Sequence, residues 1–588
     1  MQHILLMPDG AEVDPSAVPP DGSQRTPPPA PYPFELDDFQ RAACGAIDAG
    51  RSVVVAAPTS AGKTLVAEHA VRAALGAGGR AVYASPLKAL SNQKYRELGR
   101  IFPGEIGLLT GDHSAEPQAG CLVLTTEVLR SMLYRGSELV REVRWAVFDE
   151  AHLLGSPSRG WVIEEALILL PRAVRVVLLS ATIPNGAALA GWLAMLRQTP
   201  CELVHSAARP VPLRHYVASA RRPRDLFLVQ SGDGAAFDAA RWESAVEGLS
   251  PPREPSEGGV GRFALPRATP VERGRVSCPA RPIGEKKKTP QAADPTAPPT
   301  RRLEQRCAAA AELLYALAGG AAGEASARGA DGGGAGAESM LPAIAFCASR
   351  RECEALAAML SRGPSLVAAS HAEAIGEVID AALGGVVGGG SEEEEASRQI
   401  GVARPLLLSG VGVHHSGLQP VLRELSELLF SEGLLPLLVA TETVAMGVNT
   451  PARTVLLTGG GSKFDGTRQR LMLPTEYTQM AGRAGRRGKD AFGACVLLAH
   501  EWCSAASGEA MLSRRHAPLQ PSHRITASTA LKMARIEGAS VAALATSSFG
   551  AWLASQSRAR DEERRARASS AAARLASQLA EAPAAAAA

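Results

Sequence analysis

Three short strings carry residue types that could do chemistry. The first is Ala57–Pro58–Thr59–Ser60–Ala61–Gly62–Lys63–Thr64. Small residues let consecutive backbone N–H groups close around phosphate oxygens. Lys63 would reach the β/γ-phosphates of a nucleoside triphosphate, and Thr64 has the hydroxyl that holds Mg²⁺ beside them. A glycine usually opens such a loop, and Ala57 stands here instead. The second string is Asp149–Glu150–Ala151–His152. Asp149 would bind Mg²⁺ through water, and Glu150 would orient or deprotonate the attacking water. The third, Gln479 to Gly488, is dense in arginine and glycine. If Arg483 and Arg486 face the first string, they can neutralise charge on the γ-phosphate, an effect worth about 10³–10⁵ in rate. Taken alone, the second string could be an exposed acidic turn and the third a basic loop that binds any phosphate.

The elements around these strings decide between the readings. The phosphate loop lies between the apolar run Ser52–Ala56, a buried strand, and Leu65–Leu75, a helix. A helix start adds about half a positive charge where the phosphates would sit. Further strands are expected at Arg80–Ser85, Cys121–Thr125, Trp145–Phe148 and Val174–Leu179. Each is short and apolar on both faces, as parallel strands covered by helices must be. The pattern predicts a doubly wound α/β domain. Asp149 then ends a strand, facing the same crevice as the loop. Ser180–Ala181–Thr182 ends the next strand and could link that crevice to movement between segments. A second α/β segment is expected from Pro342 to Leu498, with strands Ala343–Phe346, Leu437–Ala440, Thr454–Leu457 and Ala494–Leu498. Only the first segment carries a phosphate loop.

The remaining stretches are less regular. Residues 8–33 are proline-rich, and residues 1–33 are expected to be a disordered lead-in. Residues 217–340 read as a low-complexity insertion that is largely disordered, with a possible strand at Leu226–Val229, a basic run at Lys286–Lys288 and glycines at 332–334. That basic run could touch RNA or serve nuclear import, although a solvated linker charge is the commoner case. Residues 384–399, with Glu392–Glu395, read as a solvated loop. Residues 523–552 read as helical, and the tail after Asp561 as helical at most, with no face to bury. Net charge is +3, so any nucleic-acid path must be local. The nine cysteines form no CxxC pair, which argues against a zinc site or disulfide framework and for a reducing compartment. No run of 18 apolar residues suggests a membrane span, and acidic residues after Ile4–Met7 are poor for a signal or transit peptide.

Taken together, the strings resemble the superfamily-two DExH helicases, and within them the superkiller-type RNA helicases that serve the exosome. The matching stretches are FELDDFQ, AAPTSAGKT, SPLKALSNQKYRE, GLLTGDHS, LTTEVLRSMLY, FDEAH, LLSATIPN, RPVPLRHY, FCASRRECE, GVHHSGLQP, LLVATETVAMGVNTPARTV and EYTQMAGRAGRRG, in the family's order. They cover most of residues 34–216 and 342–552. GVHHSGLQP with RPVPLRHY and AMGVNTPARTV is the narrow part of the match. DLFLVQSGDGAAF looks closer to the cytoplasmic superkiller helicase than to its nuclear relative.

The resemblance implies two tandem RecA-like domains, at 34–216 and 341–500. A partial winged-helix region at 501–560 and an alanine-rich tail at 561–588 would follow. It implies that Phe34 and Gln40 sit by the adenine of ATP, with Gln40 bonding its edge. His152 would couple ATP to the second domain, Gly447 would lie beside ATP, and Gln479, Arg483 and Arg486 would close over it. Asn92, Gln93, Thr125, Thr126 and Glu127 would lie along an RNA backbone, and Thr441, Glu442 and Asn449 would line the same channel. Lys463–Leu473 looks like the strand-splitting hairpin. The implied cofactors are ATP and Mg²⁺. The implied partners are single-stranded RNA with a 3′ overhang and subunits of the exosome and superkiller complex, in the cytoplasm or alternatively the nucleus, with no membrane. Backbone contacts would leave sequence scarcely read, and the walk would run 3′ to 5′.

Two departures stand out. Pro58 occupies a position where the family usually has histidine, although proline occurs there in relatives. After residues 523–552, which resemble the start of the winged-helix region, the family's helical bundle and arch insertion have no counterpart. The expectation is a truncated or reduced chain in which ATP hydrolysis survives and processive unwinding is the activity at risk. The rival readings are an RNA-binding ATPase fragment without processive unwinding, and a related DNA helicase.

Overall fold

The computed structural model describes residues 1–14, 32–111, 113–181, 183–232, 235–249, 301–319, 339–383, 391–447, 450–464, 469–501, 503–513, 517–536 and 540–581. They form two compact units, Met1–Pro210 with Arg515–Ala588, and Val211–Arg514.

The first unit is built on strands β1 (Gln2–Leu6), β2 (Glu12–Val13), β3 (Ser52–Ala56), β4 (Arg80–Ser85), β5 (Ile106–Leu109), β6 (Ser114–Ala115), β7 (Cys121–Thr125), β8 (Val143–Phe148), β9 (Arg175–Ser180) and β10 (Cys201–His205). Among the described residues their order is β2-β1-β10-β3-β9-β8-β4-β7-β5-β6. The run from β10 to β5 is parallel throughout, and β1, β2 and β6 extend it antiparallel. Successive strand residues point to opposite faces. Val53 and Val55 therefore join one core with helices Asp38–Asp48, Thr64–Gly76 and Lys88–Ile101. Val54 joins the other with helices Thr126–Arg135, Gly160–Leu169 and Gly186–Arg197. All three valines are fully buried, each contributing about 1.5–3 kcal/mol over an exposed position.

The second unit contains β11 (Leu213–Ser219), β12 (Arg222–Ser231), β13 (Ala343–Cys347), β14 (Val411–His414), β15 (Leu437–Thr441), β16 (Thr454–Leu457) and β19 (Gly493–Ala499), in the order β12-β11-β19-β16-β13-β15-β14. In this sheet, among the described residues, only the β11–β12 pairing is antiparallel. A separate hairpin pairs β17 (Ser462–Phe464) with β18 (Gln469–Leu471). These are two RecA-like α/β units with parallel-dominated sheets.

Several expectations are corrected. The stretch 1–33, expected to be disordered, begins with β1. Leu5 and Leu6 are buried because β1 pairs with β10 at the sheet's side. The first domain, expected to reach residue 216, gives up Leu213–Tyr216 to β11 of the second sheet. The insertion at 217–340 contains β12 and two packed helices. Helix Ala239–Val246 buries Trp242, and helix Arg301–Ala318 buries Leu313 and Leu317 against the second sheet. Residues 250–300 and 320–338, with the lysine run and glycine cluster, lie outside the described residues. The run Glu392–Glu395 belongs to helix Ser391–Leu408 rather than a loop. The expected 501–560 region divides: helix Ala505–Leu512 packs in the second unit, and helices Ala527–Met533 and Val541–Thr546 belong to the first. As expected, the tail after Asp561 is helical as far as it is described, continuing helix Phe549–Glu581.

The C-terminal segment is fastened to the first unit by polar groups. The Asn185 amide accepts from Leu519 N at 2.9 Å and donates to Leu519 O at 3.2 Å. Trp192 Nε1 donates to Ser547 O at 2.8 Å, and Phe549 N donates to Glu164 at 2.7 Å. Glu165, fully buried, accepts from Arg130 (3.1 Å), Tyr134 (2.9 Å) and Thr529 (3.0 Å). Burial pushes its carboxyl up, but His523 foremost, with Tyr134, Arg130 and Thr529, holds it below the ordinary range.

Candidate nucleotide and nucleic-acid sites

In a parallel sheet the C-terminal strand ends share one edge, and that edge is where α/β folds bind ligands. Here β3, β9, β8, β4 and β7 are consecutive neighbours. Their ends deliver, side by side, the 57–63 loop, Ser180, Asp149 with Glu150, Ser85, and Thr125 with Thr126. Residues far apart in sequence thus line one crevice because the strands are in register: Ala56 opposes Ser180, and Ser85 opposes Thr125.

The loop leaves β3 with Ala57 N donating to Ser180 O at 3.2 Å. Ser60 (φ 62°) and Gly62 (φ 90°) adopt left-handed backbone, which turns amides towards one concave side. Lys63 Nζ donates to Ala57 O and Pro58 O, both at 2.8 Å, so the lysine closes the loop on itself. Helix Thr64–Gly76 follows at once. The hydroxyls of Thr59 and Ser180 are buried without a hydrogen-bond partner. Orphaned donors at this edge fit an absent polyanion. The Thr64 hydroxyl receives Lys94 Nζ at 3.1 Å, and that ammonium also reaches Glu97 at 2.7 Å.

Asp149 is held on both carboxylate oxygens. Tyr83 OH donates to Oδ2 at 2.6 Å, and Glu150 N donates to Oδ1 at 2.9 Å. Glu150 has φ 52°, a left-handed turn that redirects the chain as the strand ends. His152 Nδ1 lies 3.3 Å from the Glu150 carboxylate. Burial pushes its imidazole down, Glu150 opposes this and Lys63 reinforces it. Mg²⁺ takes few protein oxygens and keeps waters and phosphates in its shell. The Thr64 hydroxyl and the Asp149 carboxylate fit that requirement.

Gln40 is buried, accepting from Asp37 N (2.9 Å) and donating to Gly62 O (3.1 Å), so it ties the first helix to the loop. Phe34 is 55% exposed, its ring centroid 6.0 Å from that of Tyr32. Asn92 and Gln93 lie on helix Lys88–Ile101. The Asn92 Oδ1 is buried and unpartnered, and Gln93 donates to Glu97 at 2.6 Å. Thr125 and Thr126 are buried, with Thr126 Oγ1 donating to Ser85 O at 3.2 Å, whereas Glu127 is exposed. Thr182 lies outside the described residues.

In the second unit Thr441 ends β15 and shares a 2.9 Å hydroxyl contact with Thr443. Gly447 closes helix Thr443–Gly447, and Asn449 lies outside the described residues. The stretch Lys463–Leu473 spans most of the hairpin, whose turn is not among the described residues. Lys463 ties it to Glu442 (2.6 Å) and Glu476 (2.8 Å), and Arg470 reaches Glu476 at 2.7 Å. Against burial, these cations and Leu473 N hold the Glu476 carboxyl down to about 2. Gln479 is on helix Pro474–Ala481. Arg483, buried, donates to Ala445 O, and Arg486 holds Asp490 through two 2.8 Å bonds.

The sequence reading missed two residues that touch this chemistry, Tyr83 and Lys94. A tyrosine inside an apolar strand and a lysine on the buried side of a helix both need polar partners. The residue type was the available signal.

Comparison with known proteins finds one helicase domain model in each unit. The DEAD/DEAH box helicase model matches residues 37–189. The helicase conserved C-terminal domain matches residues 403–488. The human exosome RNA helicase MTR4 is 38% identical over 506 residues, 86% of this chain and 42% of the relative. The chain carries a DEAD/DEAH box helicase domain and a helicase conserved C-terminal domain. mRNA transport homolog 4 of Caenorhabditis elegans is 37% identical over 525 residues, 88% of this chain and 44% of the relative. Superkiller complex protein 2 of mouse is 37% identical over 522 residues, 88% of this chain and 37% of the relative. The chain spans less than half the length of these relatives. Among the described residues no helix is long and apolar enough to cross a membrane.

Proposed function

We propose that this chain hydrolyses ATP to move along and unwind RNA, expected 3′ to 5′, and delivers the strand to an exosome. The observation carrying the proposal is the row of strand ends that brings Lys63 and Thr64 beside Asp149 and Glu150, with orphaned hydroxyls along it. The RNA and exosome parts rest on relatives named as an exosome RNA helicase and a superkiller complex protein.

In this reading Lys63 leaves the carbonyls of Ala57 and Pro58 and turns its ammonium to the β/γ-phosphates. The amides of Thr59 to Thr64 bind phosphate oxygens. Thr64 and Asp149 would hold Mg²⁺, which would supply charge neutralisation on those oxygens. Glu150 accepts the proton of the attacking water, and His152 couples ATP to the second domain through a hydrogen bond. Phe34 and Gln40 border the adenine. Gln479, Arg483 and Arg486 serve the γ-phosphate, with Arg486 released from Asp490, and Gly447 lies beside the nucleotide. Asn92, Gln93, Thr125, Thr126, Glu127, Thr441, Glu442 and Asn449 follow the RNA backbone, and the β17–β18 hairpin parts the strands. The compartment is the cytoplasm, with the nucleus as the alternative.

The test is ATP hydrolysis with and without single-stranded RNA, using Lys63→Ala and Glu150→Gln as controls and DNA as competitor. RNA should stimulate the wild type alone. A wild-type rate no higher than either variant, or stronger stimulation by DNA, contradicts the proposal.

A further inference from the structure

Helix Phe549–Glu581 is 33 residues long, and up to Arg574 its buried residues lie at its start. Phe549 and Trp552 are buried against the first unit, whereas every residue from Ser557 to Arg574 is exposed. That stretch has no apolar face needing cover, but it has an ordered charge pattern. At 100° per residue, Arg560, Arg564, Arg567 and Arg574 fall within about 80° of arc, separated by about 6, 4.5 and 10.5 Å along the axis. Asp561 and Glu562 lie about 100° and 200° round from Arg560, off the stripe, whereas Glu563, about 300° round, borders it.

Carboxylates three or four residues from an arginine can pair with it on a solvated helix. Glu563 stands three residues from Arg560 and four from Arg567, and Asp561 three from Arg564. Only Arg567 is held, by Glu563, and no ion pair or hydrogen bond holds Arg560, Arg564 or Arg574 among the described residues. Arg560 and Arg564 are also i,i+4 neighbours of like charge, and Arg564 and Arg567 i,i+3 neighbours, both unfavourable arrangements. The stripe therefore repels itself, and a polyanion would relieve it. Glu12 and Asp561 line a cavity of about 280 Å³ together with Arg560 and Arg564, which tempers the proximal end. Arg567 and Arg574 stand clear of that cavity.

We propose that this stripe is a second RNA site, which takes backbone phosphates of the single strand outside the helicase core. The inference rests on the reading that the protein acts on RNA. Between Ser557 and Arg574 the arginines are accompanied on their face by Ala571 and flanked by Ser570 and Glu563, and that stretch holds no aromatic or large aliphatic anchor of the kind protein interfaces are built around. A row of guanidinium groups without such anchors suits phosphates, which position a strand without reading its sequence. Anchoring by Phe549 and Trp552 fixes the stripe to the first unit, so a bound strand would be tethered to the lobe that carries the phosphate loop.

The test is the salt dependence of binding of the full chain to a fluorescein-labelled oligouridylate, read by anisotropy. For single strands, log K falls with log salt by about 0.7 per phosphate contact. Replacing all four arginines (R560Q, R564Q, R567Q and R574Q) keeps good helix formers, and circular dichroism checks the fold. The slope should become shallower by up to about 3, or about 0.7 for each arginine engaged. RNA-independent ATPase should not change, and the off-stripe pair R558Q and R565Q should leave most of the slope intact. Equal slopes in wild type and stripe variant overturn the site. So does an equal loss in the off-stripe variant, which would assign the effect to overall charge. Equal slopes with stripe-dependent binding of polyglutamate would give the face to an acidic protein and also overturn it. A wild type that binds no RNA overturns both this site and the functional reading, whereas RNA binding with an unchanged slope removes this site alone.

Discussion

Tyr83→Phe isolates one hydrogen bond at the centre of the site. The Tyr83 ring is fully buried, and its hydroxyl donates to Asp149 Oδ2 at 2.6 Å. Burial first, and the Asp149 charge second, push the phenol well above its ordinary range, so it remains a donor at any working pH. Phenylalanine keeps the packing and removes only the oxygen. A hydrogen bond to a charged group is worth about 1.5–3 kcal/mol, which at 1.36 kcal/mol per decade is roughly 10- to 150-fold. Asp149 keeps its bond from Glu150 N at 2.9 Å. The carboxylate should therefore swing about that contact rather than leave the crevice. Removing an outer partner of a metal-binding carboxylate typically costs about 10–100-fold in metal affinity. ATPase measured across a Mg²⁺ series should show a half-saturating concentration raised by about that factor, with the plateau rate largely retained. An unchanged half-saturation in a variant that melts as a folded protein would refute the role given to Asp149 and the support given by Tyr83.

Three further outcomes follow from the same structure. Arg486→Ala should lower kcat of the ATPase by about 10³-fold or more, as expected for a guanidinium on the γ-phosphate, with little change in KM; a loss under tenfold would contradict that role. Glu165→Ala leaves Arg130, Tyr134 and Thr529 without their shared acceptor. Breaking such a buried pair costs about 3–5 kcal/mol, so the melting temperature should fall and the 519–552 segment should become protease-sensitive, whereas an unchanged melting profile would contradict the fastening described. Burial, then the charges of Arg350, His414 and Arg423, push His415 down to about 4 from the ordinary 6.5. The unfolded chain thus takes up a proton that the folded one refuses. Stability should be full above pH 6.5 and decline as pH falls towards 4. His415→Gln should flatten that decline in thermal melts, and an equally steep decline would contradict the assignment.

The central strands were legible because nothing in them competes with burial. Ser52–Ala56 and Cys121–Thr125 are apolar on both faces and match the structure residue for residue. The strands that escaped notice carry polar groups or glycine. β10 contains Glu202, buried yet satisfied by Arg51 at 2.9 Å and His3 at 2.6 Å. That acid disguises a parallel strand and is also part of why β1 belongs to the sheet. β14 contains a glycine and ends in His414, whose Nε2 lies 2.6 Å from Glu427. β11 follows two prolines and holds His215 against Tyr477 at 2.7 Å. Helix Arg301–Ala318 reads as low complexity because its buried face includes four alanines. At the candidate site, the placement of residues 57–63 and of Asp149 with Glu150 at strand ends of one sheet was legible from residue type and spacing. The partners that orient them were not. Tyr83 and Lys94 act through long-range contacts, 66 and 30 residues from Asp149 and Thr64.

The most direct measurement is displacement of a labelled strand from an RNA duplex, with the single-stranded tail placed at either end and wild type set against Glu150→Gln. ATP-dependent release by the wild type from the 3′-tailed duplex, with none from the variant and little from the 5′-tailed duplex, is the result expected. Release that is absent, independent of ATP, or equal in the Glu150→Gln variant would contradict the assignment of RNA unwinding to this crevice.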